Sequence, residues 1–165
     1  MKKFLLLFST ILLINFVGKA QEQTPLTKMK YKIQKTDEQW RQELTEYQYN
    51  ILRQKGTERP HTGKYNLHFE EGTYHCAGCG QKLFESDTKF DAHCGWPSFD
   101  KAIEGAVEYK KDFSHGMERI EILCNACGGH LGHVFKDGPT DTGLRYCVNS
   151  VSLEFESKSE KKQQH

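Results

Sequence analysis

The sequence has almost no surplus of charge. Its 165 residues carry 23 Lys and Arg against 22 Asp and Glu, a formal +1 with His neutral. A chain so balanced has no field to draw it to nucleic acid or to an anionic membrane surface. It also has no apolar run of the roughly 20 residues that a spanning helix takes. The longest candidate, residues 4–17, is uncharged and mostly apolar but only 14 residues long, and no Cys follows it to take a lipid. There is no repeat at a fixed period apart from one short cysteine motif that occurs twice, so at most two related halves are present. With 36% hydrophobic and 27% charged residues the composition is globular rather than disordered. The length suits one modest domain with its own core.

The N-terminus reads as a targeting segment. Lys2 and Lys3 precede the short apolar run, and Gly18-Lys19-Ala20 puts small residues where a signal peptidase cuts. A signal peptide over 1–20 would be removed to leave Gln21 and would send the chain to the periplasm or the medium. An uncleaved membrane anchor is the alternative. Cleavage removes three Lys and leaves 20 bases against 22 acids. No stable membrane association is expected afterwards, and a monomer is expected. Residues 21–35 read as a polar linker, 36–157 as the folded domain and 158–165 as a charged tail.

Within the domain a single helix is expected over 37–55. Thr36 and Gln39 have the spacing of a capping box, and Asp37 and Glu38 sit in the first turn. Trp40, Leu44, Tyr47 and Ile51 recur at helical spacing as one buried stripe. Gly56 and Glu58-Arg59-Pro60 end the helix. Strands are expected over 72–75, 82–84, 106–110, 118–123, 131–135, 144–148 and 152–155. Arg119-Ile120-Glu121-Ile122 and Leu153-Glu154-Phe155-Glu156 alternate with period two, as half-buried antiparallel strands do.

Six Cys in an exported chain ordinarily suggest disulfides, with 15 connectivities available. The spacing argues otherwise for four of them. Cys76-Ala77-Gly78-Cys79-Gly80 and Cys124-Asn125-Ala126-Cys127-Gly128 are two copies of one turn, 44 residues apart. Two Cys three apart present both sulfurs to one point, and the Gly after them permits a left-handed backbone. Two such turns supply four thiolates to one structural zinc per chain, with iron the competitor. The long gap means that the knuckles come from distant strand pairs and clip the fold together. A zinc deaminase would need His-x-Glu and Pro-Cys-x-x-Cys on separate helices. His68-Phe69-Glu70 lies only a few residues before Cys76, and His75 stands where Pro would be.

Cys94 and Cys147 remain. Cys147 is next but one to Arg145, whose charge favours thiolate over thiol. Cys94 lies in a loop punctuated by Gly95 and Pro97. A nucleophile on a strand with a second Cys on a mobile loop suits formation and resolution of a sulfenic acid. A plain structural disulfide between them fits the pattern equally well.

Several blocks together resemble the type-B peptide methionine sulfoxide reductases. They are Gly95-Trp96-Pro97-Ser98-Phe99, Ser114-His115-Gly116-Met117, His130-Leu131-Gly132-His133-Val134-Phe135, Asp137-Gly138-Pro139 and Arg145-Tyr146-Cys147-Val148-Asn149-Ser150. With the two knuckles they fall in the family's order. The resemblance implies a mainly β fold of two small antiparallel sheets, an N-terminal helix packed outside, and a four-cysteine zinc site opposite the active site. It implies thiol-dependent reduction of the R epimer of methionine sulfoxide in proteins, a repair of oxidative damage, with a thioredoxin-like reductant as partner. Cys147 would be the nucleophile and Cys94 the resolving residue of a redox-active disulfide. Trp96 would wall the pocket for the substrate methyl, and His130, His133, Asp137, Arg145 and Asn149 would line the sulfoxide oxygen. The family commonly has Ser-Gly where this chain has Ala92-His93.

Two other classes compete. One is a non-catalytic zinc module, in which no single thiol would be unusually reactive. The other is a disulfide-stapled secreted protein, which would hold no metal.

Overall fold

A computed structural model describes residues 30–161. The leader, its cleavage point, residues 21–29 of the expected linker and the last four residues of the tail lie outside the described residues. Among the described residues no helix is long and apolar enough to cross a membrane.

The body is built from two antiparallel sheets. Strands β1 (Gly72–Cys76), β2 (Lys82–Glu85) and β9 (Leu153–Ser157) form the smaller, in the order β2-β1-β9. Strands β3 (Lys89–Phe90), β4 (Ser98–Phe99), β5 (Val107–Asp112), β6 (Arg119–Cys124), β7 (His130–Phe135) and β8 (Arg145–Val148) form the larger, in the order β3-β4-β8-β7-β6-β5. All seven expected strands are present with ends within two residues. The two that sequence reading missed, β3 and β4, are two residues long, too short to display any period.

The sheets close on an aromatic core. Phe84 of β2 stacks on Phe99 of β4 with ring centroids 4.3 Å apart, and Tyr74 of β1 meets Phe99 edge-on at 5.1 Å. All three are fully buried. Side chains of this size each contribute on the order of 2–3 kcal/mol from burial.

The expected single helix is two, α1 (Asp37–Glu43) and α2 (Glu46–Gln54). Thr45 starts a second capping box. Its Oγ1 accepts from the Gln48 amide at 3.2 Å while Gln48 Oε1 accepts from the Thr45 amide at 3.1 Å. Satisfying those amides fixes Leu44 in extended geometry and ends α1 there. The break turns the apolar stripe. Trp40, Leu44 and Ile51 are buried as expected, but Tyr47 is 51% exposed, and Tyr49 and Leu52 are buried in its stead. The left-handed residue that caps α2 is Lys55, at φ 60°, rather than Gly56.

The last residues of the expected linker pack against the body. The Ile33 amide donates to Ala126 O at 2.8 Å, and Lys30 pairs with Glu108 at 2.7 Å. The tail begins as a short turn, α3 (Lys158–Lys161), with Lys158 paired to Glu71.

Candidate active site and metal centre

The two Cys-x-x-Cys-Gly turns are the connections of two hairpins in different sheets. The first joins β1 to β2, the second β6 to β7. In each, the Gly amide donates to the carbonyl of the first Cys at 2.8 Å, with Gly80 at φ 74° and Gly128 at φ 71°. The Gln81 amide faces the sulfur of Cys79. Folding brings the four sulfurs within 4.8 Å of one another. Cys76 and Cys127 are 3.8 Å apart and Cys79 and Cys124 are 3.5 Å apart. A tetrahedron with metal–sulfur bonds of about 2.3 Å has an edge of about 3.8 Å, whereas a disulfide needs about 2.05 Å. Hydrogen bonding among the sulfurs pushes the Cys76 and Cys124 thiols up and the Cys79 and Cys127 thiols down. A buried cluster carrying thiolate charge fits a divalent cation. The donors present can hold a metal.

Strand β6 leaves this centre at Cys124 and reaches a second site at Arg119, five residues away or about 17 Å at strand rise. There one cross-strand row carries the reactive groups. Ser98 of β4 is opposite Cys147 of β8, Cys147 is opposite His133 of β7, and His133 is opposite Glu121 of β6. Opposed residues share a face of the sheet.

His130 and His133 are three apart and would point to opposite faces of a regular strand. A bulge prevents this. Ile122 pairs with Gly132 but its neighbour Leu123 pairs with His130, so β7 carries one extra residue. The two rings meet edge-on with centroids 5.6 Å apart. Gly132 itself must lack a side chain, since a Cβ there would stand 2.1 Å from Cys147 O.

Cys94 and Cys147 have their sulfurs 3.9 Å apart, and Cys94 Sγ also meets Ser98 Oγ at 3.4 Å and Trp96 O at 3.6 Å. The hydrogen bond between the sulfurs divides their charge. It lowers Cys94 to about 5, while the same bond together with burial pushes Cys147 well above the ordinary thiol range. Sequence reading expected Arg145 to make Cys147 the thiolate. The Arg145 charge favours the anionic form of both sulfurs, while their mutual hydrogen bond draws Cys94 down and Cys147 up.

A cavity of about 180 Å³ opens at Cys147, with Trp96, His133, Phe135 and Asn149 in its lining. Asp137, Arg145 and His130 are not part of that lining. Asp137 holds Arg145 by two hydrogen bonds at 2.9 and 2.8 Å, and the guanidinium lies 4.4 Å from the Phe135 ring. His130 is 3% exposed and bonds through Nδ1 to Glu121 Oε1 at 2.8 Å. It lines a polar chamber next door, which shares Thr57, Arg119 and His133 with the cavity. The Asn149 amide is engaged at both ends, accepting from the Glu58 amide at 3.0 Å and donating to Leu131 O at 3.1 Å.

Several residues of this site were not singled out from the sequence. Asp112 Oδ2 is 2.7 Å from His133 Nε2, and its acid is held well down by hydrogen bonds from the Ser114 amide and His133. Burial pushes the His133 pKa below its ordinary value, against the pull of Asp112. Glu121 is 2% exposed. Burial alone would raise its pKa, but His130 and Lys55 outweigh burial and hold it at about 2. Glu58, also buried, accepts from the Ser150 and Val151 amides at 2.6 and 3.1 Å, and its carbonyl accepts from Trp96 Nε1 at 3.0 Å. It fixes the indole wall. The period-two pattern around Glu121 had implied a half-exposed strand; Glu121 is instead buried, paired with His130 and Lys55. A mark for these residues existed only in the alternation itself, which put Arg119 and Glu121 on one face.

Residues 44–157 match the family model described as the SelR domain. The chain is 59% identical over 129 residues to a peptide methionine sulfoxide reductase MsrB of Leptospira interrogans, an alignment covering 78% of this chain and 98% of that protein. It is 57% identical over 129 residues to the protein of that name from Chromohalobacter salexigens, covering 77% and 97%. With that of Bradyrhizobium diazoefficiens it shares 59% over 128 residues, covering 77% and 92%.

Proposed function

We infer function from this premise: the chain belongs to the SelR-domain family, whose curated relatives are peptide methionine sulfoxide reductases. It is an oxidoreductase that reduces methionine sulfoxide to methionine. Its substrate is the R epimer in oxidised proteins, and the chemistry runs through two thiols. The observation that carries this reading is the pair of sulfurs 3.9 Å apart, of which that of Cys147 belongs to the lining of a cavity that also takes in an indole and an imidazole.

A sulfoxide sulfur is electrophilic, and its oxygen leaves only when protonated. Cys147 passes its proton to Cys94 and attacks that sulfur. His133 is anchored on Asp112 through Nε2 and protonates the oxygen from the other side of its ring. A pKa held down by burial makes its imidazolium a stronger acid. Oxygen transfers to Cys147, methionine leaves, and Cys147 is a sulfenic acid. Cys94 attacks it, forming the S–S bond, breaking S–O and releasing water. An external dithiol of thioredoxin type then reduces the disulfide. Trp96 offers the methyl group an apolar wall, so the epimer that turns methyl to Trp96 and oxygen to His133 is selected. His130 lies behind His133 and acts through it, and Asp137 acts by orienting Arg145. The four-cysteine centre holds zinc, which ties the two sheets.

The chain works as a monomer outside the cytoplasm after losing its first 20 residues, a reading that the charge and apolar pattern of 1–20 supports. N-terminal sequencing of protein taken from cells should begin at Gln21, and recovery of Met1 would refute cleavage. The central test is reduction of separate R and S methionine sulfoxides with dithiothreitol as donor. Turnover of R with little of S is expected; equal rates, or turnover of S alone, would overturn the assignment of Trp96 and His133.

A further inference from the structure

The mechanism above leaves Arg119 unused, although it lines the same cavity as Cys147, His133 and Trp96. One end of its guanidinium is tied down. Nη2 donates to Asp112 Oδ2 at 2.8 Å and to Ser114 Oγ at 3.0 Å. Its Nε is buried without a hydrogen-bond partner, and among the side-chain nitrogen and oxygen atoms of the described residues it is the one in that condition. A buried, unpaired donor on a charged group is costly and rarely kept without a use.

Its neighbourhood shows what the use is. Asp112 Oδ2 accepts from Arg119 and also meets His133 Nε2 at 2.7 Å. One carboxylate oxygen therefore holds the guanidinium and the imidazole side by side. Both side chains line the cavity that also takes in Trp96 and Cys147. We propose that the Arg119 Nε–H is a second donor to the sulfoxide oxygen, beside His133. This rests on the reading that the cavity takes a methionine sulfoxide.

The two donors divide the work. A guanidinium does not give up its proton at any working pH, so Arg119 cannot be the acid. It stabilises negative charge as that charge gathers on oxygen during S–O cleavage, and the proton comes from His133. Burial keeps the His133 pKa low, and the nearby Arg119 charge adds to that effect. The oxygen pole thus carries one permanent cation and one titrating group, opposite an apolar wall for methyl.

The test compares ligands with and without the oxygen. In a Cys147→Ser background, which cannot turn over, Arg119→Lys should weaken binding of N-acetylmethionine (R)-sulfoxide about 10- to 100-fold. Lys keeps a cation within reach of Asp112 but has no N–H at the Nε position. Binding of N-acetylmethionine, the thioether, should change less than about threefold, because no charged hydrogen bond is lost. With Cys147 present, Arg119→Lys should lower kcat/KM for the R epimer by a similar factor. A purely structural role would weaken both ligands alike. Should the variant not fold, the wild-type Arg119 Nε–H signal in a nitrogen–proton NMR spectrum serves instead. It should move on adding dimethyl sulfoxide and stay still with dimethyl sulfide. Equal losses for both ligands, no loss for either, or a stationary Nε–H signal overturn the proposal. Wild-type protein that reduces neither epimer overturns the parent reading and this inference together. An active wild type beside an equally active Arg119 variant overturns the inference alone.

Discussion

At pH 6 Cys94 should react with iodoacetamide faster than an ordinary cysteine, and at pH 8 more slowly. The sulfur–sulfur hydrogen bond lowers its pKa to about 5. At pH 6 about 90% of it is thiolate, against about 0.3% for a free thiol of pKa about 8.5, a gain of roughly 300-fold. The same stabilisation makes the thiolate less nucleophilic. With a Brønsted slope of about 0.4–0.5 over about 3.5 pKa units, the loss is roughly 25- to 60-fold. Thiolate population wins at pH 6 by several-fold. By pH 8 the gain in population is only about fourfold, and lost nucleophilicity wins. The two curves should cross near pH 7. The assay is alkylation of reduced protein from pH 4 to 8, with the Cys94 and Cys147 peptides quantified separately by mass spectrometry. Cys147→Ala removes the largest cause of the shift and should move the Cys94 midpoint upward. A Cys94 rate that climbs tenfold per pH unit through pH 8, with no plateau, would refute the proton sharing on which this rests.

Cys147→Ser should abolish reduction, whereas Cys94→Ser should release one methionine per enzyme in a rapid-quench burst and then stall with a thioredoxin-like donor; dithiothreitol should partly restore turnover. A Cys94 variant with no burst would remove Cys94 from the resolving role. Cys79→Ser should lose the metal and cooperative unfolding, and intact protein should contain one zinc per chain by elemental analysis; native metal-free protein with disulfides among the four would disprove this. Glu121, held at about 2 from an ordinary 4.5, contributes stability above pH 4.5 that is lost as pH falls toward 2, roughly 3 kcal/mol in all. In Glu121→Gln the acid limb of the stability curve should flatten, and an unchanged limb in urea titrations from pH 2 to 6 would contradict the assignment. His93→Gly should speed closure of the Cys94–Cys147 disulfide in stopped flow without altering the first-turnover burst; a slower closure would count against a hinge at residues 91–93.

Much of this molecule was legible because its signals are local. The doubled Cys-x-x-Cys-Gly turn needs nothing beyond five consecutive residues to declare its geometry, and the structure puts all four sulfurs together. Strands of four or more residues show their alternation. The helix break was legible in principle, since Thr45 and Gln48 repeat the spacing of Thr36 and Gln39, but the apolar stripe at 40, 44 and 51 runs across the break and hid it. What stayed hidden depends on contacts between distant segments. Glu58 gains its role only when β8 and the turn after it deliver Asn149, Ser150 and Val151. Asp112 becomes the partner of His133 only because β5, β6 and β7 lie side by side and the β7 bulge turns both histidines one way. The lowered pKa of Cys94 follows from a 3.9 Å separation between residues 53 positions apart in the chain.

That separation also says where the resolving loop must bend. A disulfide requires the sulfurs to close from 3.9 Å to about 2.05 Å, a travel of nearly 2 Å. The C-terminal side of Cys94 offers little of it. Gly95 O accepts from the His61 amide at 2.7 Å, Trp96 Nε1 is held by Glu58 O, and Ser98 is already paired in β4. The N-terminal side is held only locally, by Asp91 Oδ1 accepting from the His93 amide at 2.8 Å. His93 is exposed and sits at φ 52°, a left-handed conformation that costs a residue with a Cβ on the order of 1 kcal/mol. The proposed closure therefore draws on residues 91–93, where a change out of the left-handed state would release that cost. A Gly at 93 would be free in either conformation and would lower the barrier between them, whereas a side chain there makes each exchange between left- and right-handed backbone an activated step. Attack on the substrate involves no such exchange, since Cys147 rides on a paired strand. In the proposed mechanism the backbone at His93 thus sets how fast Cys94 closes on Cys147 and leaves the sulfoxide step to the strand.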